Sequence, residues 1–125
     1  MPPSVPNLTG SSDAAKIPYG NHRSFPRELY PQYGGHKSVI YRSSDGKIAA
    51  GTALESGTGS LTYPCDEFFY VTEGWGDFKI DGGDSFRLTK GDCIYITKGT
   101  TIDYVLSTDF WNVAVFIDSE RITQF

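Results

Sequence analysis

From residue 38 to residue 117 the chain reads as short apolar runs broken at regular intervals by glycine. Asp45-Gly46, Gly57-Thr58-Gly59, Gly74-Trp75-Gly76, Asp81-Gly82-Gly83, Lys90-Gly91-Asp92 and Lys98-Gly99 punctuate it. The breaks recur roughly every ten residues, the rhythm of an all-β sandwich or barrel. The runs between them predict strands at 38–41, 47–55, 68–73, 76–80, 85–88, 93–96, 101–106 and 111–117. No stretch keeps helical periodicity over about 11 residues. A single helical turn is expected at 26–29, with Ser24 as its cap. Strands of this number with tight turns fit a double-sheet jelly roll.

Alternation then assigns faces, because successive side chains of a strand point to opposite sides. With Glu67 inward, Phe69 and Val71 follow it, and Phe68 and Tyr70 face out. In 101–106 the more apolar set, Ile102, Tyr104 and Leu106, is the inner one; Thr101, Asp103 and Val105 form the outer one. A slip of one residue would invert every assignment, and a bulge would break them.

Length and composition narrow the picture further. A chain of 125 residues is one domain. Residues 1–35, whose first part is rich in Pro, Ser, Gly and Asn, are expected to form a partly flexible N-terminal arm, and residues 36–125 the barrel. The 8 Tyr, 8 Phe and 2 Trp suit strands and also suit the walls of a small-molecule pocket. A net charge of −4 argues against a nucleic-acid partner. No run of about 18 apolar residues is present, which argues against a membrane span. The first residues carry no apolar core of a secretory signal, so a cytoplasmic location is expected. Two cysteines, Cys65 and Cys93, are too few for a disulfide framework.

The stretch 62–99 adds motifs. It holds TYPCDEFFYVTEGWG and then FKIDGGDSFRLTKGDCIYITKG. This layout resembles the two motifs of the cupin superfamily. It is most similar to the branch of the ureidoglycine aminohydrolases and the ethanolamine-utilisation protein Q-like proteins, in which an aromatic-x-x-Asp-Glu-aromatic segment leads into a Val-x-Glu-Gly turn. The resemblance implies an all-β, small single-domain cupin jelly-roll barrel, and it implies a homodimer. The arm offers one way to build that dimer, by pairing with an edge strand of a second copy.

Carried over residue by residue, Glu67 and Gly74 match the end of the first motif. Its two histidine positions fall on Leu61 or Ser60 and on Tyr63 or Thr62. In the second motif Gly91 and Gly99 match, Thr97 replaces a proline, and Ile102 takes the place of the last histidine. Of the four metal ligands that the resemblance implies, only Glu67 remains. The chain's histidines, His22 and His36, lie outside both motifs. A catalytic metal site usually needs three protein ligands, so no cofactor is expected. An atypical metal held by Glu67 with His36 or Tyr63, or with Asp66 as an oxygen donor, is the alternative.

The chemistry then rests on Glu67. Burial raises a carboxyl's pKa toward the range where it serves as a general acid or base near neutral pH. Tyr63 and Tyr104 are placed beside it as hydrogen-bond donors or proton carriers. Phe69, Val71, Ile102 and Leu106 are expected to wall the pocket, with Trp75 at a strand end over it. A mostly apolar cavity of roughly a few hundred Å³ is expected, suited to a compact, weakly charged substrate. The function this predicts is a metal-independent lyase, dehydratase, isomerase or cyclase acting on a small molecule. The alternative is a non-catalytic small-molecule-binding or structural cupin.

Overall fold

The structure, a computed structural model, describes residues 17–118. Its strands are β1 Glu28–Tyr30, β2 Gly35–Arg42, β3 Ile48–Thr62, β4 Asp66–Glu73, β5 Trp75–Ile80, β6 Ser85–Thr89, β7 Cys93–Ile96 and β8 Thr101–Ile117. Every pairing is antiparallel. The main order is β1-β2-β3-β8-β4-β7, and the β5–β6 hairpin attaches to β8.

The two long strands β3 and β8 run beside each other and organise the barrel. The second half of β8, from Trp111 to Ile117, carries β4, and β4 carries β7. The first half, from Ile102 to Leu106, carries β5 and through it β6. One pair of strands thus serves both sheets of the jelly roll.

Segment 57–59 was expected as a turn but lies inside β3, and 101–106 and 111–117 are one strand rather than two. The cause is a paired irregularity. The β3–β8 register shifts between Glu55 and Gly57, and the opposite strand spends residues 107–109 on the same step. Gly57 takes a φ of +98° there, so its glycine serves a bulge and not a hairpin. Gly59 has a different reason. It lies opposite Tyr104, and a Cβ at residue 59 would stand 2.5 Å from the Tyr104 hydroxyl.

The expected helical turn at 26–29 is absent. Glu28–Tyr30 is a strand, and a 3₁₀ turn follows at Pro31–Tyr33, where proline fits the first position. The described part of the arm therefore belongs to its own barrel. β1 pairs with β2, and Phe25 is buried with its carbonyl accepting from the Ser38 hydroxyl at 3.3 Å. The Arg23 and Arg27 guanidinium groups lie 4.9 and 5.0 Å from the Trp111 ring centroid, and Arg23 also pairs with Glu73. The sheet's edge on this side is β1 rather than β2. The expected arm residues 1–16 lie outside the described residues.

The alternation holds. Glu67, Phe69 and Val71 are buried, while Phe68 and Tyr70 are exposed. Ile102 and Leu106 are buried and Val105 is exposed. Phe69, Phe78 and Phe110 pack with ring centroids 5.9 to 6.2 Å apart at the centre of the core. Among the described residues no helix is long and apolar enough to cross a membrane.

Candidate functional site

The inner face of the neighbouring strands β3, β8 and β4 lines a cavity of about 100 Å³ in the barrel. Small residues on the inner face leave it open: Gly51, Ala53 and Ala114 line it at positions a larger side chain would fill. Phe69, Phe78 and Phe110, which also belong to the core, form part of its wall. Four phenols, from Tyr30, Tyr33, Tyr63 and Tyr104, form much of the remaining wall. The volume is below the few hundred Å³ expected from sequence.

Two carboxyl groups face this space, Glu67 from β4 and Glu55 from β3. Glu67 is pushed up to about 8, first by burial and then by the charge of Glu55. A hydrogen bond with the Tyr63 side chain favours the ionised form and offsets only part of this. Glu55 is pushed up to about 7 by burial, opposed by a hydrogen bond from Asn112. That bond runs from the Asn112 Nδ2 to the Glu55 Oε1 at 2.7 Å. Asn112 is itself buried, and its backbone carbonyl accepts from the Thr52 hydroxyl at 2.9 Å.

The phenols stay protonated at neutral pH. Burial holds Tyr63 well above the ordinary tyrosine value, with the Glu67 and Glu55 charges adding to it. Tyr33 is pushed up to about 12 by burial and by Tyr104. Tyr30 and Tyr104 are raised as well, burial being the first cause in both. Tyr63 is fixed at the end of β3, where its N–H donates to the Thr100 carbonyl at 2.9 Å and its carbonyl accepts from Gly99 N–H at 2.8 Å. The Tyr33 ring lies 4.9 Å from Tyr30 and 6.2 Å from Tyr104, centroid to centroid.

Of the residues singled out from sequence, Glu67, Tyr63, Tyr104, Phe69 and Leu106 come together around this cavity. Val71 and Ile102 do not line it. Val71 is fully buried in the core, and Ile102 borders a separate apolar cleft with Phe86 and Ile96. Trp75 also stands apart, its ring covered by the Arg87 guanidinium at 4.2 Å. Arg87 is held there by a two-pronged bond to Asp77, at 2.7 and 2.9 Å. Asp66 is not an inward donor. It accepts from the Tyr95 hydroxyl and from Lys98 N–H, both at 2.7 Å, and these bonds hold its carboxyl below the usual range.

Sequence reasoning missed Glu55, Asn112, Tyr30 and Tyr33. The first two were within reach of alternation. Glu55 is in step with Ala49 and Ala53, and Asn112 with Ala114 and Phe116, all on the inner face. The two tyrosines carried no such signal, since they reach the cavity from the segment before β2.

The donors around the cavity do not fit the imidazole-bearing metal site that the sequence resemblance implies. They are two carboxyls, one amide and hydroxyls, whereas imidazole suits first-row transition metals. His36 sits on β2 away from the lining, and His22 packs edge-on against Trp111 at 5.7 Å. Among the described residues no group of three or more His, Cys, Asp or Glu side chains converges. Of the atypical partners considered for Glu67, only Tyr63 stands beside it.

Comparison with known proteins bears on the whole barrel. The family model described as EutQ-like cupin domain matches residues 43–118, more than half of the chain. A candidate ethanolamine utilization protein Q from Salmonella typhimurium LT2 superposes with a TM-score of 0.71 at 19% identity, over 91% of this chain and 96% of that one. The EutQ protein of Clostridium difficile gives 0.70 at 20% identity, over 95% and 93%. KdgF from Halomonas sp. gives 0.64 at 15% identity, over 84% and 96%. At these identities the likeness to solved structures is one of fold. No curated protein sequence matches the chain.

Proposed function

The chain belongs to the EutQ-like cupin family, and from that premise we propose that its barrel is a small-molecule enzyme in which Glu67 and Glu55 relocate a proton. The reaction is a lyase, dehydratase, isomerase or cyclase step that runs without a metal. One observation carries this reading. Two inward carboxyls share one small cavity, and burial brings them to about 8 and about 7.

Groups with such values change protonation near neutral pH, where general acid–base catalysis is most effective. The two titrate as a pair, so near neutrality one proton is held between them over a span of pH. One member is then an acid and the other a base. The base takes a proton from carbon, and the acid returns one to a leaving group or to a neighbouring carbon. Tyr63, bonded to Glu67, steadies the ionised form. Tyr104 stays protonated and can donate to an oxyanion that develops on the substrate.

The test is proton exchange. Small metabolites are incubated with the protein in deuterated water, and carbon-bound deuterium or elimination is followed by NMR. Turnover by the wild-type protein that falls by roughly 10² to 10⁴ in Glu67→Gln supports the proposal. An unchanged rate in that variant sinks it and leaves the second reading, a non-catalytic binding module.

A further inference from the structure

We infer that the cavity takes a small organic ammonium ion, a compact primary or quaternary amine, as its ligand. This rests on reading the cavity as a small-molecule site, and it changes the weakly charged substrate expected from sequence.

Charge is the first argument. Among the described residues that line the cavity, Glu55 and Glu67 are the ionisable groups that can carry charge near neutral pH, and neither Lys, Arg nor His is present. Lys37 lies 5.0 Å from the Tyr30 ring centroid and 3.9 Å from the Glu28 carboxylate, and it does not line the cavity. An anionic ligand would meet two carboxyls and no counter-charge. A purely apolar ligand would strip water from both carboxyls and give nothing back.

The wall chemistry is the second argument. Tyr30, Tyr33, Tyr63 and Tyr104 surround the space with aromatic rings, and Phe69, Phe78, Phe110 and Phe116 add four more. The negative face of an aromatic ring attracts an ammonium, and such cages are a known means of recognising quaternary amines. A first-row transition metal gains little from these rings, because it is held chiefly by lone-pair donors, imidazole among them. The rings and the carboxyls together suit a cation with an apolar surface.

Size is the third. A water needs roughly 10–15 Å³ of such volume. The 100 Å³ available therefore admits a molecule of only a few heavy atoms. The groups facing Glu67 are Glu55 from β3, Tyr63 from the β3–β4 link, Tyr104 from β8, and Tyr30 and Tyr33 from the segment before β2. None of them supplies a positive charge, so an ionised Glu67 finds a counter-charge in this space only on a ligand. An ammonium entering beside protonated Glu67 displaces its proton to solvent. A free amine instead accepts that proton and becomes the ammonium. Either way the ligand holds Glu67 ionised.

The experiment compares probes of one size and different charge on the wild-type protein. Propylammonium chloride, tetramethylammonium chloride, 1-propanol and sodium propionate are titrated at about pH 8.5. Binding is read by calorimetry and by the NMR signals of the Tyr63 and Tyr104 rings. Propylammonium is expected to bind at least about tenfold tighter than 1-propanol, with propionate not binding, and to weaken by roughly 50- to 100-fold between about pH 8.5 and pH 6 as Glu67, at about 8, takes up its proton. Glu67→Gln should weaken propylammonium by a similar factor, while the comparison of probes needs no variant to fold.

Equal binding of 1-propanol, or tighter binding of propionate, at the same tyrosines overturns the ammonium inference and leaves the small-molecule site standing. Failure of every probe to move those signals overturns both. Ammonium binding with unchanged turnover in Glu67→Gln supports the ligand class and removes the acid–base reading alone.

Discussion

Asn112 on β8 donates its side-chain amide to Glu55 on β3 at 2.7 Å, inside the barrel and one step from the bulge where the two strands change register. The bond ties a catalytic candidate to the strand pair that organises both sheets. It also holds the lower of the two carboxyl pKa values down, since it favours the charged form.

Replacing Asn112 by leucine removes that donor and leaves Glu55 without it. Glu55 should then titrate higher than about 7, and the protein should lose about 1–3 kcal/mol of stability. The bond from Thr52 goes to the Asn112 backbone and survives the change. Carbon-detected NMR titration of the glutamate carboxyls, together with urea unfolding, checks both parts.

Stability should fall as the pH rises from about 5 to about 8. Glu55 and Glu67 stay protonated in the folded chain up to about 7 and about 8, against 4.5 as the ordinary value. Across that window the unfolded chain binds fewer protons than the folded one, so raising the pH favours unfolding. Below about 4.5 both states are protonated and the effect vanishes; above about 8 it is complete. The loss is on the order of a few kcal/mol. Urea unfolding at a series of pH values should show this slope, and Glu67→Gln should flatten it. A wild-type slope of zero would contradict the raised pKa values of the pair.

Tyr104→Phe keeps the ring and removes the hydroxyl. Its effect on turnover should be smaller than that of Glu67→Gln, which removes a proton-transferring group worth about 10² to 10⁴ in rate. At neutral pH Tyr104→Phe should melt close to the wild type, and Glu67→Gln at or above it, because the neutral amide removes the cost of keeping Glu67 protonated in the folded chain. Tyr104→Phe losing as much as Glu67→Gln would make the phenol, and not the carboxyl, the principal proton carrier.

Gly59 and Tyr104 should behave as a coupled pair. A Cβ at residue 59 would stand 2.5 Å from the Tyr104 hydroxyl and 2.8 Å from its ring carbon. Gly59→Ala must therefore displace a rigid ring, at a cost of about 1–3 kcal/mol. In a Tyr104→Ala background the same change should be nearly free. A double-mutant cycle with additive effects would refute the contact.

The purified protein should hold well under one equivalent of Fe, Mn, Zn or Ni, and chelators should leave its turnover unchanged. The reason is the donor set at the cavity, which offers carboxyls, an amide and hydroxyls but no imidazole. Elemental analysis with a stoichiometric metal that Glu67→Gln abolishes would reverse this.

Much of the barrel follows from local rules. Glycine punctuation and period-two alternation are local properties, and they placed most of the strands and turned Glu67, Phe69, Ile102 and Leu106 inward. The motif layout of 62–99 named the cupin family that the match over residues 43–118 establishes. What alternation along one strand cannot supply is how strands meet. The paired irregularity of β3 and β8 turned an expected turn at 57–59 into continuous strand, because a bulge and a hairpin use the same glycine. Val71 and Ile102 share the inward sense of Glu67 yet pack away from the cavity, since facing inward fixes a side and not a depth along the barrel. Glu55 and Asn112 lie 57 residues apart and meet only when β3 pairs with β8. The fold class was thus decided by sequence periodicity, and the composition of the site by long-range strand pairing, which sets which inward side chains share one small volume.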